Sequence, residues 1–90
     1  MLTKQEFSVI MKFDADKLSK EQLSQKIGQQ IKHYRQQLGI SQAELARRCE
    51  KDKQHLELIE NGKVSSNSYS LYLISLALGI ELSELLHLKY

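Results

Sequence analysis

The apolar positions of this chain fall into short blocks separated by capping residues, and the spacing within most blocks is helical. Thr3 and Glu6 form a T-x-x-E capping box with Leu2 and Phe7 placed as a hydrophobic staple, which predicts a short helix through about Phe13. The alternation of Phe7, Val9, Met11 and Phe13 with Ser8, Ile10 and Lys12 also fits a strand, and helix is the preferred reading. Residues 1–18 form an appendage whose apolar side chains must pack on the domain or on a second subunit. Ser19 and Gln22 make the next capping box, ahead of a long helix with Leu23, Ile27, Ile31, Tyr34 and Leu38 on one face. Further on, Asn67 or Ser68 caps a helix carrying Leu71, Ile74 and Leu78, with Ser75 on the same side and Gly79 as its stop. A last short helix over residues 81–88 carries Leu82, Leu85 and Leu86.

Between these blocks, residues 41–62 read as two short helices joined by a turn too short to let them lie antiparallel. Ser41 and Glu44 form an S-x-x-E capping box for the first, and Leu45, Ala46 and Cys49 give it one apolar stripe. Asp52 is the N-cap candidate of the second, Leu56 and Ile59 are its inward positions, and Asn61-Gly62 supplies the stop. This is a helix-turn-helix candidate, in which the second helix enters the major groove of DNA and its N-terminal side chains touch base edges. Lys53, Gln54, His55, Glu57 and Leu58 occupy the face that a docked partner would meet.

The motif resembles the Xre-type repressors of bacteria and their phages, including the lambdoid repressor and Cro proteins. S-Q-x-E-L-A at 41–46 and I-E-N-G at 59–62 carry the resemblance at the family's spacing. It extends to Ile27-Gly28, Ile31, Arg35 and Leu38-Gly39-Ile40 before the motif, and to Leu71, Ile74, Leu78-Gly79-Ile80 and Leu85-Leu86 after it. It implies an all-α fold, a five-helix lambda-repressor-like domain over residues 19–90, and a dimeric transcriptional regulator, in the first instance a repressor, bound to a near-palindromic double-stranded operator. By the same resemblance Lys53, Gln54 and Leu58 are base-reading positions, Gln42 and Lys63 touch phosphate, and Arg35 and Glu60 pair beneath the motif. Arg35 beside the apolar stripe requires an anionic partner if it turns inward; the alternative is a solvated surface charge. His55 reads as a polar surface or phosphate contact.

Four positions depart from the family pattern. Glu50 stands where the turn usually has glycine, and keeps that turn only in a left-handed conformation costing about 1–2 kcal/mol. Lys51 replaces the apolar residue after it, Ser66 replaces a loop proline, and Leu58 replaces a polar base reader, leaving it to touch a thymine methyl or a sugar.

Composition narrows the function classes. A chain of 90 residues with 41% hydrophobic residues, 27% charged and no proline is long enough for one small core. No apolar run approaches the roughly 20 residues of a membrane span, and no signal peptide is apparent, so a cytoplasmic protein is expected. The single cysteine, Cys49, forms no internal disulfide and fits the apolar stripe as a small hydrophobe. His33, His55 and His87 lie far apart, and there is no phosphate loop or nucleophile elbow, so no enzyme, metal or cofactor is expected. The net charge of +2 is unevenly placed: residues 26–63 carry eight Lys and Arg against five acids, whereas residues 1–25 balance four against four. The excess supports nucleic-acid binding without deciding it. Tyr69, Tyr72, Leu73, Leu76 and Leu88 exceed what one small core holds and point to a subunit interface, formed first by Leu82, Leu86 and Leu88 and secondly by Phe7, Met11 and Phe13. The second function class is an antitoxin-like module that uses the same fold on a protein partner such as a toxin.

Overall fold

The computed structural model describes residue 1, residues 3–6 and residues 17–88. Five helices lie wholly within them, α1 (Lys20–Gln37), α2 (Gln42–Arg48), α3 (Lys53–Glu60), α4 (Ser68–Leu78) and α5 (Leu82–Leu85), and none of the described residues is in a strand. The all-α expectation holds. Residues 4–6 are also helical, and both bonds of the Thr3/Glu6 capping box are present, Glu6 N–H to Thr3 Oγ1 at 3.1 Å and Thr3 N–H to Glu6 Oε2 at 3.3 Å. The rest of that expected helix, with Phe7, Met11 and Phe13, lies outside the described residues.

Local capping chemistry sets the starts. Ser19 and Gln22 bond reciprocally at 3.1 and 2.8 Å, and Asn67, rather than Ser68, caps α4 by accepting from Ser70 N–H at 2.8 Å. Only half of the expected box forms at α2. Ser41 Oγ accepts from Glu44 N–H at 3.1 Å, but the Glu44 carboxylate turns away to Arg47 and to Arg48 Nε at 3.0 Å. Two guanidiniums one turn downstream outcompete a single backbone N–H for that carboxylate.

One device ends the four longer helices. After α1, Gly39 and Ile40 donate back to the carbonyls of Gln36 and Arg35; after α3, Gly62 and Lys63 donate to Ile59 and Leu58; after α4, Gly79 and Ile80 donate to Leu76 and Ser75. These are Schellman closures with glycine at positive φ. The turn after α2 closes in the same way, with Glu50 N–H to Arg47 O and Lys51 N–H to Ala46 O, but the left-handed position holds Glu50 at φ 57°. The motif turn is therefore kept despite the missing glycine.

The core is Ile31, Leu45, Ala46, Cys49, Leu56, Ile59, Leu71, Ile74, Leu78 and Leu85, with Ile27, Tyr34, Ile40, Val64, Leu73, Ala77, Ile80 and Leu82 packed against it. The inward positions expected for the two motif helices are all in it. Burial pushes the Cys49 thiol pKa up, which suits the small hydrophobe the pattern called for. Two members of the α1 stripe do not hold: Leu38 caps the helix and is 48% exposed, and Leu23, in the first turns, is 41% exposed. The last helix is also shorter than expected. It ends at Leu85, after which His87 offers its carbonyl to Gln30 Nε2 on α1 at 3.1 Å.

Packing of α1 on α3 depends on Gly28. A Cβ there would stand 2.4 Å from Ile59 O and 2.5 Å from Glu60 O, so the helices meet backbone to backbone at the end of α3. Opposite outcomes are expected at the two special backbone positions. Glu50→Gly relieves the left-handed strain and should stabilise the domain by about 0.5–1 kcal/mol, while Gly28→Ala should destabilise it by about 1–3 kcal/mol or more, because backbone cannot step aside as a side chain can. Thermal melts of the two variants measure both signs.

Candidate nucleic-acid interface

The second motif helix, α3, is held from behind by a charged node. Glu60, 4% exposed, closes its last turn. Arg35 reaches it from α1 with two parallel bonds, Nε to Oε2 at 2.7 Å and Nη2 to Oε1 at 3.0 Å, and donates through Nη1 to Ile40 O at 3.0 Å. Gln42, the first residue of α2, adds Nε2 to Glu60 Oε1 at 3.1 Å. One carboxylate therefore ties the α1 helix, the entry to α2 and the end of α3 together. Its partner geometry is the planar fork that suits Arg and that Lys does not reproduce.

With Leu56, Ile59 and Glu60 turned inward, the outer face follows from a rotation of about 100° per residue. Gln54 and Leu58 lie at its centre, one turn apart. Glu57 flanks them on one side and His55 on the other, with Lys53 at the border. All five are exposed, Leu58 by 43%. The helix also presents an open start: Asp52 has the extended N-cap backbone, but its side chain makes no cap bond, so the first N–H groups of α3 keep no side-chain acceptor.

Lys63 stands three residues beyond the end of α3, exposed, and lines a cleft with Lys20, Glu21, Ser24, Gly62 and Ser65 between the start of α1 and the loop after α3. Lys20 did not stand out in the sequence, since its place beside Lys63 depends on α1 packing across the loop. Gln42, expected at phosphate, is half-buried with one amide hydrogen given to Glu60; its remaining hydrogen and carbonyl are free for another partner.

Several of the other positive charges are engaged. Arg47 and Arg48 embrace Glu44 and hold its carboxyl below the usual carboxylate range, Arg47 contributing most. That contribution is present above the ordinary carboxylate pKa and is lost as the pH falls through the lowered one. Lys51 donates from Nζ to Ser70 Oγ on α4 at 3.0 Å. Among the described residues no cluster of His, Cys, Asp and Glu could hold a metal, and no helix is long and apolar enough to cross a membrane.

Two short helices in one rigid unit, with a polar outward face on the second, define a helix-turn-helix DNA-binding domain. The chain belongs to the Xre-like helix-turn-helix family, whose model matches residues 31–85, and with it to a family of DNA-binding transcription regulators. The fold is similar to that of the restriction-modification controller protein C.AhdI from Aeromonas hydrophila, at 29% identity and a TM-score of 0.68, over 69% of this chain and 94% of that one. It is also similar to the clp gene regulator ClgR from C. glutamicum, at 25% identity and a TM-score of 0.69, over 71% of this chain and 83% of that one. No curated protein matches significantly. Both solved neighbours are regulators by name.

The node makes a sharp expectation. With side chains 11% and 1% exposed, removing Arg35 or Glu60 alone leaves a buried charge without its partner and should cost about 3–5 kcal/mol, whereas Arg35→Met with Glu60→Leu should cost far less than the sum. Denaturant titration of the two single variants and the double variant measures it; a harmless Glu60→Ala would make the pair a surface feature.

Proposed function

We propose that this protein is a sequence-specific transcriptional repressor that binds a near-palindromic operator as a homodimer in the cytoplasm, with residues 19–90 as the DNA-binding unit and residues 1–18 as an appendage to it. The observation that carries this reading is the outward face of α3. A bidentate amide, Gln54, stands at its centre, with an open helix start beside it and Lys63 just beyond its end.

Each side chain then has a chemical role. Gln54 donates to and accepts from adenine in the major groove, Lys53 donates to guanine or phosphate, and Leu58 packs on a thymine methyl or a sugar. Gln42, His55 and Lys63 hold phosphates, with Lys20 placed to assist Lys63. Phosphate contacts set affinity and salt dependence, and the α3 contacts set sequence.

Dimerisation follows from scale, since one α3 reads only a few base pairs. Two copies related by a two-fold axis would place their α3 helices in successive major grooves, about 34 Å or 10–10.5 base pairs apart. Leu86 is 42% exposed, with Leu82 and Leu88 half-buried beside it, so this end of the domain offers apolar surface to a second copy.

The second reading, an antitoxin-like module that grips a protein partner, is favoured by α4. That helix bears no charged side chain and exposes Tyr69, Tyr72 and Leu76 on one side by 67%, 45% and 57%.

Titration against duplex DNA separates the readings. A DNA reader loses affinity steeply as salt rises, and a protein-interaction module binds duplex feebly at any salt. Within the first reading, Gln54→Ala should cost about 1–3 kcal/mol on the preferred site and relax one position, while Lys63→Ala should weaken all duplexes alike and lower the salt slope by about one. Light scattering beside binding to palindromes of varied spacer tests the dimer: Leu86→Glu should give a folded monomer with much weaker specific binding, and a wild-type monomer indifferent to spacer length would contradict it.

A further inference from the structure

The outer face of α3 carries one group that the roles above leave unused. Glu57 is exposed beside Gln54, and no hydrogen bond or ion pair holds its carboxylate among the described residues. Lys53, one turn before it, does not pair with it, and a Lys placed N-terminal to a Glu is the poorer order for such a pair. A free carboxylate on a helix that enters the major groove approaches two rows of phosphates without a counter-charge. That repulsion must be offset by a donor at the one place the carboxylate reaches, or the side chain weakens every complex.

Base chemistry limits the donor. In the major groove guanine offers the acceptors N7 and O6, and thymine offers O4 with a methyl, so both reject a carboxylate. Adenine presents its N6 amino group next to the N7 acceptor, whose lone pair faces an incoming oxygen. Cytosine presents N4 beside a carbon-bound hydrogen, and is the base edge that best accepts an anion. We infer that Glu57 is a specificity-determining residue that accepts a hydrogen bond from the N4 amino group of a cytosine and excludes guanine and thymine at that position. Glu57 lies three residues beyond Gln54, about 4.5 Å along the helix axis, so its cytosine belongs to the base pair next to the one Gln54 reads. A negative charge at this point trades general affinity for discrimination.

The inference rests on the DNA-reading function, and its test separates the two. Wild-type protein and the Glu57→Gln variant are each used to select duplexes from a random pool. Polarisation titrations then follow on the wild-type site, its single-base variants and random duplex at one salt concentration. Thermal melts accompany them to show that the exposed substitution leaves the fold intact. The wild type should prefer cytosine at one position per half-site by about tenfold or more, in keeping with a single base contact. Glu57→Gln should bind random duplex several-fold more tightly and move the preference at that position towards adenine, which an amide pairs bidentately, while the Gln54-dependent position stays unchanged. An equal gain in affinity on every duplex with all preferences intact would reduce Glu57 to a plain repulsive charge and overturn the inference alone. Wild-type protein that binds no duplex in a salt-dependent way would overturn it together with the DNA-reading function.

Discussion

The orientation of α3, the helix proposed to face DNA, depends on one buried ion pair. Arg35 and Glu60 meet in a bidentate bond where three segments of chain converge, with Gln42 as a further donor to the carboxylate and the Ile40 carbonyl as a further acceptor from the guanidinium. Desolvation of the two charges offsets much of their attraction, so the pair contributes less to stability than its distances suggest. What it supplies is geometry, since a planar guanidinium and a carboxylate join in few ways. Gly28 acts with it two turns before Arg35 on α1, by letting α1 lie directly on the carbonyls of Ile59 and Glu60. A close backbone contact and a directional pair together fix the tilt of α3, and with it which side chains stand outermost.

This arrangement changes the meaning of the charge count. Four of the eight cations of residues 26–63 are tied to structure: Arg35 serves Glu60, Arg47 and Arg48 serve Glu44, and Lys51 reaches Ser70. On the α3 face Lys53 and Glu57 balance in charge, and on the loop side Lys63 shares its cleft with Lys20 and with the carboxylate-bearing Glu21.

Much of the fold was legible because its signals are local. Ser19 with Gln22, and Gly79 after α4, act within a turn of where they stand, and the stripes of Leu45, Ala46 and Cys49 and of Leu56 and Ile59 point where helical periodicity sends them. Competition between equally local partners was not legible: Glu44 could bond backward to its cap or forward to two arginines, and only the folded helix decides. Leu38 fits the stripe by number but falls one residue past the end of α1, and the last helix gives way to a tertiary bond from Gln30. At the site, residue identities came from spacing and resemblance. The role of Gln42 as a ligand of Glu60, the closeness of Lys20 to Lys63 and the backbone contact at Gly28 needed the packing of α1, which no short window of sequence contains.

The central claim is that the α3 face, held by the node behind it, is where DNA binds. Amide chemical-shift mapping of the labelled protein during titration with a duplex tests it most directly. The account predicts shifts concentrated at Lys53, Gln54, His55, Glu57 and Leu58, with Gln42 and Lys63 at the margins, and little change at Tyr69, Tyr72 and Leu76 on α4. Shifts confined to the α4 face, or none at low salt, would contradict it.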